Sequence, residues 1–142
     1  MSTGPPGARA GASGRVPARH ARNTAPWLRD PAGEWQCLAM LKHIVFWKLK
    51  DEADGRSRAE NARKLKQDLE SLRGAVPGVH ALEVGLNVKP SDASYDVALY
   101  SVFSDQAALD AYQRHPKHQE IVAFLGRVRS ARALVDYEVS EP

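Results

Sequence analysis

From Met40 onward, six segments of hydrophobic patterning follow one another in this 142-residue chain, and their order leaves few folds open. The first, "LKHIVFWKLK" (41–50), is β-branched and aromatic. Leu41, His43, Val45, Trp47 and Leu49 fall on one face, with Ile44 and Phe46 on the other. Apolar centres on both faces describe a central strand covered on two sides. "SRAE" (57–60) is a capping box that opens a helix with Ala62, Leu65, Leu69 and Leu72 on one stripe, ended by Gly74. Pro77-Gly78 turns the chain into "VHALEVGLNV" (79–88), where His80, Leu82, Val84, Leu86 and Val88 alternate. After the turn cluster "KPSDAS" comes a third strand, "YDVALYSVF" (95–103). Ser104 is the expected cap of a helix over 105–113, a second helical piece runs from Pro116 to about Arg129, and "RALVDYEV" (132–139) closes as strand four.

The order is β-α-β-β-α-β, the ferredoxin-like arrangement of an α+β protein: a four-stranded antiparallel sheet with helices on one face. Ile44, Phe46 and their neighbours are then left uncovered on the other face. A partner sheet would cover them, so a homodimer is expected.

Residues 1–39 differ in kind. They hold five Gly, five Pro and no apolar periodicity, so they are expected to be a disordered extension preceding a single domain over 40–142. They lack the apolar stretch of a secretory signal. An Arg-rich, acid-poor leader fits an organelle transit peptide; the blander and favoured reading is a start at Met40. His20 receives no role. The extension also explains the pI of about 9.2. Five Arg against Asp30 and Glu34 give it the whole net charge of +3, because 40–142 carries 15 basic and 15 acidic groups. The folded part has no electrostatic footprint for nucleic acid. No apolar run approaches the roughly 18–20 residues of a membrane span. Cys37 is the only cysteine, which fits a reducing, cytoplasmic compartment.

The chemistry-bearing stretch is "AYQRHPKHQEI" (111–121). A residue before proline is pushed out of the helical region, so His115 ends one helix and Pro116 begins the next. His118 then shares an inward stripe with Ile121, Val122 and Leu125. Burial and the helix N-terminus both favour a neutral imidazole there. Tyr112 reaches the same region from the preceding helix, and a buried hydroxyl needs a partner, for which His118 is the candidate. His43 joins them if its strand face packs under the helices. The result is either a small ligand pocket or a polar cluster that only fixes packing. A metal held by His115 and His118 is disfavoured, since the proline break separates their directions and no carboxylate shares their face. No cofactor is implied.

The opening "LKHIVFWKLKDE", the block "YDVALYSVFSDQAALDAYQRHPKHQEI" and the closing "VDYEV" resemble the stress-responsive dimeric α/β-barrel (Dabb) domain over about Met40 to Val139. The resemblance implies a ferredoxin-like protomer whose sheet joins a second copy's to form a barrel. In the family's plant polyketide cyclase, a histidine of the H-P-x-H element acts as base beside the tyrosine of the same block. Those places are His118 and Tyr112, and the strand-one pocket histidine falls at His43. Where that enzyme has a further pocket histidine on strand three, this chain has Val97, and Trp47 fills space a smaller side chain would leave open. The expected pocket comprises His43, Val45, Trp47, Val97, His115, Ile121 and Val122 around His118 and Tyr112. Two functions stay open. The favoured one is a stress-related or small-molecule-binding dimer taking a small hydrophobic, carbonyl-containing ligand. The other is a cofactor-independent cyclase, isomerase or monooxygenase with His118 as general base.

Overall fold

The computed structural model describes residues 27–29, 31–37 and 39–140. Most of the extension expected to be disordered lies outside them. Within them, β1 (Trp27–Arg29) and β2 (Trp35–Cys37) pair as a short antiparallel hairpin. The main sheet begins with β3 (Met40–Leu49). A tight hairpin of β4 (Glu52–Ala53) and β5 (Arg56–Ser57) follows, turned by Asp54 and Gly55 at φ 52° and 72°. Two positive φ values in a row are the type I′ geometry that an Asp-Gly pair suits.

Helix α1 (Arg58–Glu70) opens with the expected capping box: Glu60 N–H donates to Ser57 Oγ, and Ser57 N–H to Glu60 Oε2 at 2.9 Å. It ends earlier than the sequence suggests. The amides of Leu72 and Arg73 bond three residues back, to Leu69 and Glu70, tightening the last turn before Gly74 is reached. Strands β6 (Val79–Leu86) and β7 (Val97–Phe103), helices α2 (Gln106–Arg114) and α3 (Pro116–Val128), and β8 (Arg129–Val139) complete the chain. The main sheet has the order β6-β7-β3-β8, antiparallel throughout, which is the ferredoxin-like topology.

One face of the sheet carries Leu41, His43, Val45, Trp47 and Leu49, all buried, with Leu82, Val84, Leu99 and Phe103 beside them. Leu65 and Leu69 of α1, and Ile121, Phe124, Leu125 and Val128 of α3, close over that face. On the opposite face Phe46, Val135 and Tyr137 are 38%, 48% and 39% exposed.

Two expectations fail locally. The register of β6 shifts between Val79 and Ala81, so His80 drops out of the buried alternation. The strand stops at Leu86, and Val88 is fully exposed. Ser104 is not the cap of α2: its hydroxyl lies 2.6 Å from His80 Nε2, and Asp105 takes the capping role by accepting from Ala108 N–H at 2.8 Å.

Candidate functional site

The break between α2 and α3 forms as the proline rule requires. His115 has φ −61° and ψ 135°, extended rather than helical, and Pro116 occupies the first turn of α3. His115 caps that turn, its Nδ1 accepting from Lys117 N–H at 3.2 Å. The cap role aims the imidazole along the backbone, so His115 is not among the cavity residues.

Three residues on, His118 turns inward. Its Nδ1 lies 3.2 Å from the carbonyl oxygen of Gln113, on the last turn of α2. A carbonyl has no proton to give, so Nδ1 carries the hydrogen and the neutral ring keeps its lone pair on Nε2. Burial pushes His118 below the ordinary histidine range. The Gln113 carbonyl works against that shift, while positive charge at His43, Arg132 and His115 adds to it.

Tyr112 packs its ring on His118 at 4.6 Å between centroids and on Phe103 at 5.0 Å. The expected hydrogen bond between Tyr112 and His118 does not form. The contact is ring against ring, and the phenol oxygen has no partner among the described residues. Burial drives the Tyr112 pKa far up, so this phenol stays protonated. Tyr112 lies behind His118 and outside the cavity wall.

The cavity itself measures about 80 Å³. Of the residues expected there, His43, Val45, Trp47, His118, Ile121 and Val122 line it. Val97 does not: it pairs with Trp47 across β3 and β7 and is buried in the core beside it. Alternation correctly places Val97 on the helix-side face, but it does not say which positions on a face border the void.

The site also holds residues that the sequence reading passed over. Asp136 sits opposite His43 in the β3–β8 register, and its Oδ1 accepts from His43 Nδ1. Ser101, opposite His43 on the other side, donates from Oγ to the His43 carbonyl at 2.7 Å. Arg129 and Arg132 line the cavity from the start of β8. The available signal was the alternation Arg132, Leu134, Asp136 on the last strand, once that strand is paired with the first. Among the described residues no group of three or more His, Cys, Asp or Glu side chains is placed to hold a metal ion.

The stress-responsive A/B barrel domain model matches residues 41–139. The chain belongs to that family. Its Dabb domain is similar to an uncharacterised protein of Streptomyces coelicolor, 31% identical over 99 residues that span 70% of this chain and 99% of the relative. Among solved structures it is similar to a dimeric ferredoxin-like protein of unknown function from Bacteroides fragilis, 33% identical with a TM-score of 0.63 over 70% of this chain and 96% of that one. A Dabb family protein from Mesorhizobium loti is 26% identical, with a TM-score of 0.55 over 70% and 95% of the two chains. No helix among the described residues of this Dabb chain is long and apolar enough to cross a membrane.

Proposed function

We propose that this Dabb protein is a cytoplasmic, stress-related homodimer that binds a small carbonyl-containing molecule in the cavity beneath α3, with His118 Nε2 accepting a hydrogen bond from a hydroxyl on that molecule. The observation that carries this reading is the bond from His118 Nδ1 to the Gln113 carbonyl, which leaves an acceptor nitrogen on a ring that lines the cavity. Val45, Leu99, Ile121 and Leu125 offer the ligand's carbon skeleton an apolar wall. Size narrows the class. About 80 Å³ is a fraction of the roughly 300–1,000 Å³ of drug-sized sites, and Trp47 forms part of the wall. A long polyketide chain does not fit that space, whereas a molecule of a few heavy atoms does. Tyr112 is assigned a positioning role, holding the His118 ring from behind. Hydroxyacetone, which carries a carbonyl, a hydroxyl and a methyl group, is a suitable probe. NMR titration should shift the His118 ring protons, and His118→Gln should abolish saturable binding. Hydroxyacetone binding equally well to the variant would overturn the reading.

A second reading is favoured by the lowered pKa of His118, which keeps the ring in its basic form near neutral pH. Here Nε2 removes a proton α to the bound carbonyl, leaving an enolate that regains a proton from solvent. In D2O the wild type would then replace the α-hydrogens of hydroxyacetone with deuterium faster than buffer alone. His118→Gln should lose roughly 10²–10⁴-fold of that rate. Exchange at the buffer rate in the wild type would leave binding as the function.

A further inference from the structure

We propose that Arg129 and Arg132 make the cavity a site for a carboxylate, so that its ligand is a short-chain keto or hydroxy acid rather than a neutral carbonyl compound. The inference rests on the ligand reading above and adds the charge of the ligand to it.

Both arginines line the cavity, and no acidic side chain does. In the β3–β8 register Arg132 lies opposite Trp47 and Arg129 opposite Leu49, whose side chains face the helices. Neither guanidinium has a hydrogen-bond or ion-pair partner among the described residues. Elsewhere Arg58 meets Asp51, Arg127 meets Asp54 at 2.8 Å, and Lys64 and Lys66 meet Asp68 and Glu70, so these carboxylates are engaged away from the cavity. Of the two β8 carboxylates on that face, Asp136 is engaged by His43, and Glu138 lies opposite Leu41, outside the cavity lining. Two like charges at one void therefore go uncompensated, and a planar carboxylate matches a guanidinium fork.

Both arginines line the same cavity as His118. The charge on Arg132 acts on the His118 ring and helps hold it neutral. The other groups facing His118 are His43 and His115, with Gln113 from α2, Leu69 from α1 and Asp136 beyond His43. An anion bound at Arg132 would offset that positive charge. Occupancy by an acid should then raise the pKa of His118, and occupancy by a neutral analogue should not.

The matched probes are hydroxypyruvate and hydroxyacetone, which differ by a carboxylate in place of a methyl group. NMR titration of the full chain should give hydroxypyruvate an affinity at least about tenfold higher, as charge-assisted hydrogen bonds are about twice as strong as neutral ones. That preference should shrink with added salt, and the His118 pKa should rise only with the acid. Arg129→Gln/Arg132→Gln should bring hydroxypyruvate down to the affinity of hydroxyacetone, with an unchanged amide spectrum certifying the fold. Equal binding of the two probes to the wild type overturns the carboxylate assignment and leaves the neutral-ligand reading standing. A preference that survives in the double variant overturns the role of the two arginines. If neither probe moves the His118 resonances, both readings fail together.

Discussion

His118 is a half-buried imidazole at the cavity wall, and its environment fixes how folding responds to acid. Burial lowers its pKa in the folded chain, whereas the unfolded chain has the ordinary value of about 6.5. Between the two values the unfolded state holds a proton that the folded state lacks, so acid favours unfolding. The contribution is therefore complete above pH about 6.5 and is lost as pH falls through the lowered folded value. Thermal melts from pH 8 to pH 5 should show this decline, and His118→Gln should flatten it. An equal decline in the variant would assign it to other groups. The residue that matters was legible from spacing, because H-P-x-H puts one histidine at a cap and the other a turn inside. The partner of its Nδ1 was not. Gln113 offers a backbone carbonyl, which residue identities do not signal.

At the scale of elements, the joint between the α1–β6 turn and α2 is set by close approach. Gly78 has φ +83°, and a Cβ built there would lie 2.7 Å from the Cβ of Ala108 on α2. The Pro77-Gly78 turn was evident in sequence, but its contact with α2, thirty residues on, was not. Gly78→Ala forces both a left-handed backbone and a steric clash, and should cost on the order of 1–3 kcal/mol. Chemical denaturation would read that loss directly, and a stability equal to wild type would mean that α2 can move away. The caps teach a related point. Ser57 and Glu60 form the expected box because both partners lie within one turn. The same local logic predicts a cap at Ser104, yet its hydroxyl is captured by His80, brought there by the shifted register of β6.

For the molecule as a whole, the decisive feature is the uncovered sheet face. Phe46, Val135 and Tyr137 stay substantially exposed on it, while the dimeric Bacteroides fragilis protein shares the fold. A second copy laid across this face would bury them. Light scattering should give twice the protomer mass at micromolar concentration, and a clean monomer would contradict the proposed assembly. Phe46→Asp should dissociate or unfold the protein, since leaving a carboxylate unpaired in an apolar interface costs several kcal/mol.

The residues alone did not show the hairpins at Trp27–Cys37 and Glu52–Ser57, but legible in them were the order of the main-sheet strands and helices, the two-faced character of the first strand and the helix break at His115-Pro116. Each of these follows from period, cap chemistry or the steric rule before proline, and all act within a few residues. The composition of the cavity came from long-range packing. His43 and Asp136 are 93 residues apart and meet because β8 pairs with β3 in one register; a shift of one residue would have turned Asp136 to the other face. The same register brings Arg129 and Arg132 to a void bounded by α3, while the β3–β7 register sets Val97 beside Trp47, outside the void's lining. Alternation assigns a side chain to a face, but how two faces pack decides which side chains touch the space between them.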